Sequence, residues 1–191
     1  MADVTSADPA DMDRCVGLIA LAFSTDPAAR WLYKDPHAYM EYFPRFIRAF
    51  GCTAFDYGTA HHVDGGAAAL WIPPDEHPDE APLIALIEES VPARDQEAAF
   101  AVFEQMGKAH PDEPHWYLPL IGTDPAQQGQ GHGSALLRYA LAICDEQKMP
   151  AYLEATSPRN VKLYERHGFK ITGTIQAGMS PPITPMVRQP R

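Results

Sequence analysis

Three glycines fall within five positions of QQGQGHGSALL, residues 127–137, and the stretch runs straight into an aliphatic segment. Gly reaches backbone conformations closed to other residues and lets a ligand approach the main chain, at a cost in folding entropy. So dense a run ahead of a helix calls for an offsetting gain. A strand, a glycine loop, a helix and a second strand supply one, because that unit aims free backbone N–H groups and a helix N-terminus at an anion.

The flanking patterns provide those pieces. Residues 115–123 read as a strand rich in aromatic and aliphatic side chains, with Pro119 in its middle. A proline there removes a ladder hydrogen bond, so the strand is expected to be bulged or interrupted. Residues 134–147 place Leu137, Leu141 and Cys144 on one helical face, with Leu136, Ala140 and Ile143 beside them. Then 149–156 read as a strand, 157–168 as a short helix stopped by Gly168, 169–176 as another strand, and 183–188 as a last one.

Upstream, Asp8 and Pro9 open a helix over 8–23, with Val16, Ile19, Ala20 and Phe23 forming its stripe. A second apolar periodic segment spans 37–50. Between them the predicted loop 24–36 carries Trp31 and Tyr33, aromatics that either line a pocket or pack. Strands at 53–57 and 67–72, the second stopped by Pro73 and Pro74, form a hairpin, and 78–110 alternates helical patterns with proline breaks. The 191 residues show no internal repeat or low-complexity linker and are read as one domain, 1–191.

Composition narrows the function. A net charge of −10 removes any general attraction for nucleic acid and favours cationic small molecules weakly. The N-terminal stretch is acidic where an export signal is basic, and no segment approaches a membrane span, so neither export nor membrane insertion is expected. Cys15, Cys52 and Cys144 are odd in number and widely spaced; they read as buried, reduced thiols in a cytoplasm. His61 and His62 have no partner at metal-ligand spacing and read as surface residues, so no metal site is expected.

Three loop types compete for the glycines. A Walker loop ends in Lys and Ser/Thr, and this loop has no Lys. A dinucleotide fingerprint is matched by Gly129 and Gly131, with Glu154 placed as a ribose-binding acid, but its sixth position is Ser134 and too little chain follows to complete a doubly wound sheet. The third pattern, Q-x-x-G-x-G, is met by Gln128, Gly131 and Gly133. Downstream, Asn160 lies four residues before Tyr164, which is followed by Gly168 and Phe169. The two motifs in this order resemble the GNAT superfamily of acyl-CoA N-acyltransferases over residues 116–176, and HWYLPLIGTDP, PAYLEATSPRN and YERHGF look most like its puromycin N-acetyltransferase group.

The resemblance implies a mixed α/β (α+β) GNAT fold, a partly splayed central sheet flanked by helices, that binds acetyl-CoA as cosubstrate. It implies that the backbone of Gln128, Gly129, Gln130, Gly131, His132, Gly133 and Ser134 holds the pyrophosphate. The pantetheine arm pairs with Leu120, Ile121, Gly122 and Thr123, and an N–H near Leu120 or Ile121 meets the thioester carbonyl. Asn160 and Tyr164 lie on the cofactor side, Tyr164 as the acid for the leaving thiolate. Glu154 alternates with Leu153 and Ala155 on an apolar strand, so its carboxylate points into a cleft or toward a partner and is the candidate base. Glu113 and His115, at the start of the bulged strand, are poorer candidates for the base, since exposed polar residues ahead of a strand need no special role.

The function expected is direct acetyl transfer to a primary amine of a small molecule. The alternatives are a catalytically silent acyl-CoA-binding or regulatory module and a nucleotide-binding protein. Trp31, Tyr33, Phe43, Phe46 and Phe50, with the negative net charge, suit a cationic amine carrying an apolar or aromatic body. No nucleic-acid or membrane partner is expected, and a homodimer is left open.

Overall fold

Residues 67–72, AAALWI, are all apolar, and a strand of that kind belongs where both faces of a sheet are covered. In the computed structural model, which describes residues 3–64, 66–74, 76 and 79–191, every one of them is buried. The elements follow in the order β1 (Val4–Ser6), α1 (Met12–Ala22), α2 (Pro27–Leu32), α3 (Pro36–Gly51), α4 (Thr53–Asp56), β2 (Ala60–Val63), β3 (Ala67–Ile72), α5 (Ala81–Ser90) and α6 (Ala93–Ala109). The second half adds β4 (Trp116–Thr123), α7 (His132–Glu146), β5 (Ala151–Ala155), α8 (Pro158–Arg166), β6 (Lys170–Ile171) and β7 (Thr184–Arg188). Among the described residues the strands form one seven-stranded sheet in the order β1-β2-β3-β4-β5-β7-β6. Only β4 and β5 run parallel. A doubly wound dinucleotide-binding sheet is parallel, so that reading is overturned.

The strand alternation divides the core in two. Ala68, Leu70 and Ile72 face α1, α3 and α5, whereas Ala67, Ala69 and Trp71 face α7. Along β4 this alternation breaks. Leu118 belongs to the α7 side and Leu120, two residues on, to the α1 side. The register explains it: Leu70 pairs with Leu120 and Ile72 with Tyr117, so Trp71 alone opposes Leu118 and Pro119. This is the bulge that Pro119 implied, and its extra residue swaps the two faces of the strand. Beyond it the parallel pairing with β5, which covers Trp116–Leu118, stops. The two strands part there, as expected.

Three local expectations change. The strand expected over 53–57 is instead the one-turn helix α4, Thr53–Asp56, with Tyr57 as its C-cap; its Ala54 and Phe55 are buried, and the hairpin's first strand begins at Ala60. The predicted loop 24–36 contains α2, started by Asp26, whose carboxylate accepts from the N–H groups of Ala28 and Ala29. Of the strand expected over 169–176, only Lys170–Ile171 and a single bridge from Ile175 to Ile183 form. The helical stretch expected over 78–110 resolves into α5 and α6, with Pro78 lying outside the described residues. No helix among the described residues is long and apolar enough to cross a membrane.

Where α1 crosses β4 the contact requires glycine. A Cβ on Gly122 would lie 2.8 Å from Ala22 Cβ and 3.2 Å from Ile19 Cα, backbone that cannot simply rotate away. Gly122→Ala is therefore expected to lower stability in urea denaturation by about 1–3 kcal/mol. Gly17→Ala is the control: its Cβ meets nothing within 4 Å, and it removes a helix-interior glycine, so stability should hold or rise.

Candidate active site

The parted strands border two cavities that meet. One is a cleft of about 500 Å³ lined by Ile121, Gly122 and Thr123 of β4, by Gln128, Gly129, Gly131, His132, Gly133 and Ser134 of the glycine loop, and by Asn160 and Tyr164 of α8. The other, about 80 Å³, is apolar and lies on the α1–α3 side of β4, bounded by Trp31, Phe43, Phe46, Phe50, Phe103, Pro119, Leu120 and Glu154. Phe23 and Asp26 line both.

The glycine loop has the geometry its composition suggested. Gly129 and Gly131 hold φ of +82° and +86°, a left-handed region that a side chain disfavours, and Gly131 caps α7. The first N–H groups of α7 have no carbonyl within the helix to bond, and they carry the positive end of its dipole. Gln130 is exposed and does not line the cleft, and Leu120 borders the apolar cavity instead. The His132 ring lies against Gly66.

Sequence reading missed Arg159, Lys162 and Arg166, which line the same cleft from α8. Their signal was present, since intervals of three and four residues put side chains on one helix face. It also missed Asp26. Its carboxylate caps α2 through one oxygen and accepts from Thr156 Oγ1 at 2.5 Å through the other. Burial raises the acid's pKa against those hydrogen bonds. Nothing near Asp26 in sequence announces Thr156, 130 residues away.

Tyr164 is buried in the α7–α8 side of the core and reaches the cleft. Burial, with the Asp26 carboxylate adding to it, drives the phenol's pKa well above its ordinary value and keeps it protonated. Glu154 projects to the opposite face of β5, since Leu153 and Ala155 take the α7 side. Its side chain is 2% exposed and its Oε1 makes no hydrogen bond. Burial pushes its pKa up to about 7, while the nearby Tyr117 and Tyr152 phenols pull the other way. His110 Nε2 lies 3.6 Å from Glu154 Oε1.

Other expectations divide. His61 is not at the surface: it is buried against Tyr139, ring centroids 4.8 Å apart, and burial lowers its pKa to about 4. Its strand lies between β1 and β3, so one face must meet α7. His62 sits partly exposed beside Thr5. The three thiols are free and buried, as read from their spacing. Trp31 lines the apolar cavity, but Tyr33 is packed away from it and bonded to Ser90.

Two buried groups give the protein opposing pH slopes. The raised pKa of Glu154 stabilises the fold at low pH, and that contribution is lost as pH rises from about 4.5 to about 7. The lowered pKa of His61 stabilises it above about 6.5 and is lost as pH falls toward 4. Total stability hides both. Glu154→Gln should gain stability relative to the parent as pH rises through the window from 4.5 to 7, by on the order of 3 kcal/mol, in paired urea titrations. A constant difference across that window would show that Glu154 titrates in the fold as it does in the unfolded chain, with no raised pKa.

Comparison with known proteins agrees with this architecture. Residues 46–169 match the model of the acetyltransferase (GNAT) family, well over half of the chain. An uncharacterised N-acetyltransferase of Schizosaccharomyces pombe is 32% identical over 82 residues, 41% of this chain and 33% of that protein. Mycothiol acetyltransferase of Acidothermus cellulolyticus is 35% identical over 68 residues, 34% of this chain and 21% of that one. The matched region thus spans a third or less of either relative. A crystal structure of histone acetyltransferase HPA2 and related acetyltransferase from Corynebacterium glutamicum superposes with a TM-score of 0.70 at 27% identity, covering 100% of this chain and 98% of the other. A bulged strand parting from its parallel neighbour, a glycine loop capping the next helix, and the matched family model lead to one conclusion: this chain belongs to the GNAT family of acetyltransferases.

Proposed function

We propose that the chain transfers an acetyl group from acetyl-CoA to a primary amine of a small molecule by direct attack. The observation that carries this reading is the meeting of the two cavities at Phe23 and Asp26, beside the parted strands. One cavity is suited to a phosphorylated cofactor and the other to an apolar acceptor, and the reacting atoms come together only where they join.

Acetyl-CoA supplies the activated acyl group as a thioester. The N–H groups of residues 128–134 and the positive end of α7 receive its pyrophosphate, and Arg159, Lys162 and Arg166 add cations on the same cleft. The edge of β4 at Leu120–Thr123, left unpaired by β5, offers backbone to the pantetheine arm. Asn160 lines the cofactor side. Glu154, ionised in part near neutral pH, takes the proton of the acceptor's ammonium group, and the freed amine attacks the thioester carbonyl. Tyr164, held protonated, donates to the departing thiolate.

The acceptor cavity favours a compact amine with an apolar or aromatic body. Trp31, Phe43, Phe46, Phe50 and Phe103 line it, and the carboxylates of Asp26 and Glu154 face the same space. This is where the resemblance to the puromycin N-acetyltransferase group bears on substrate. The free, buried thiols suit a reducing cytoplasm. Turnover also separates an enzyme from a silent acyl-CoA-binding module, which would keep the cleft and release no thiol.

Two variants test the division of labour. Gly131→Glu puts a side chain and a negative charge at a left-handed cap facing the cleft, and calorimetry should show acetyl-CoA binding lost in a folded protein. Tyr164→Phe should lower kcat about 100-fold and leave the acetyl-CoA Kd within a few-fold. Full turnover by Tyr164→Phe would remove it from the mechanism. Free-thiol release across an amine panel should favour arylalkyl and amino-acid-like amines, puromycin included, over aminoglycosides. Turnover confined to aminoglycosides or to protein lysines would refute the acceptor assignment.

A further inference from the structure

Behind Glu154 a line of hydrogen-bonding groups runs to the surface, and its chemistry permits only one arrangement of hydrogens on the neutral rings. His115 Nδ1 lies 2.7 Å from the Glu113 carbonyl oxygen, which only accepts, so Nδ1 bears the hydrogen. The neutral His115 ring then accepts at Nε2. Its partner there, 3.0 Å away, is His110 Nδ1, which must donate. The neutral His110 ring is left with its lone pair on Nε2, the atom 3.6 Å from Glu154 Oε1. That oxygen is buried and makes no hydrogen bond. A lone pair and a carboxylate thus confront each other, and the two groups hold one proton between them comfortably and none only at a cost.

We propose that His110, held as its Nδ1–H tautomer by His115 and the Glu113 carbonyl, takes the acceptor's proton on from Glu154. The proposal rests on the reading of Glu154 as the base. The acceptor's N–H bond breaks as an O–H bond forms on Glu154; that bond breaks in turn as N–H forms at His110 Nε2. Glu154 is again a carboxylate, now paired with an imidazolium, and the proton stands one residue further from the attacking nitrogen. Water reaches the His110 ring, whose side chain is 28% exposed, and removes the Nε2 proton, which restores the starting tautomer. One proton passes from amine to water, and every protein group returns to its first state.

The groups packed around His110 fit this role. Tyr117 of β4 and Tyr152 of β5 stand with ring centroids 4.6 and 4.3 Å from it, and His115 at 5.2 Å. Burial, with the Glu154 charge adding to it, raises the pKa of both phenols well above the ordinary value, so neither competes for the proton. The Glu154 carboxylate faces the ring, its Oε1 3.6 Å from Nε2. His110 acts on the acceptor only through Glu154, which makes it a positioning residue, as is His115.

Nitrogen NMR of the histidine rings tests the arrangement without any substrate. At alkaline pH His110 should show the Nδ1–H tautomer, and Glu154→Gln, by removing the facing carboxylate, should lower its titration midpoint by about one pH unit or more. An Nε2–H tautomer, or a midpoint indifferent to Glu154→Gln, overturns the proposal. Kinetically, His110→Ala should lose about tenfold or more in kcat with an unchanged KM for acetyl-CoA, and added imidazole should restore part of it. If Glu154→Gln turns over like the parent, the base assignment fails and this proposal falls with it. If Glu154→Gln is inactive but His110→Ala keeps full kcat from pH 6 to 9, or loses activity that imidazole does not restore, the base assignment stands and the relay alone is wrong.

Discussion

Pro119 has no N–H to give, and the bulge that forms around it sets two consequences in one place. It ends the pairing of β4 with β5 after Leu118 and Leu153, and it exchanges the faces of β4 so that Leu120 and Gly122 turn toward α1. A fully paired sheet would present hydrogen-bonded backbone here and a continuous apolar surface on each side. The parted sheet instead offers a backbone edge beside the glycine loop and an opening beneath α1 and α3, and both cavities depend on that parting.

Around this opening the aromatic residues serve two purposes. Phe43, Phe46 and Phe50 stack along one face of α3, with successive ring centroids 5.6 and 5.1 Å apart. Phe43 and Phe46 are core residues and also walls of the apolar cavity. Packing and pocket are therefore not competing explanations for these rings, because the cavity is the part of the core that the parted strands leave unfilled. Into this apolar space project two carboxylates, each kept there by polar partners. Asp26 has a helix N-terminus and Thr156, whereas Glu154 has two phenols and a histidine at longer range. The weaker support around Glu154 leaves its pKa near neutrality, where a proton can be both taken and released.

Much of this was legible where chemistry is local. The glycine loop, α7 and α8 each announce themselves by spacing, and Pro119 marks the bulge within a residue or two. Segments whose form depends on distant neighbours were not legible. Residues 53–57 look like strand by composition, yet Ala54 and Phe55 find their burial as one helical turn below β3. His61 reads as polar and exposed until the strand beside it and α7 above it close over the ring. Arg159, Lys162 and Arg166 were visible as a helix face but acquired meaning only once that face bordered the glycine loop.

By itself the sequence determined the elements whose reasons lie within a few residues: the turn that needs left-handed backbone, the helix it caps, and the strand that a proline interrupts. It also determined that residue 154 would be a carboxylate on an apolar strand. Only the tertiary structure decided what that carboxylate faces. Tyr117, His110 and His115 come from other segments, and Asp26 reaches the junction of the cavities from a helix cap far upstream. The physical reason is that protonation and hydrogen-bond partnership depend on burial and on distances of a few ångströms. Those distances are set when separate parts of the chain pack together, and spacing along the sequence does not contain them.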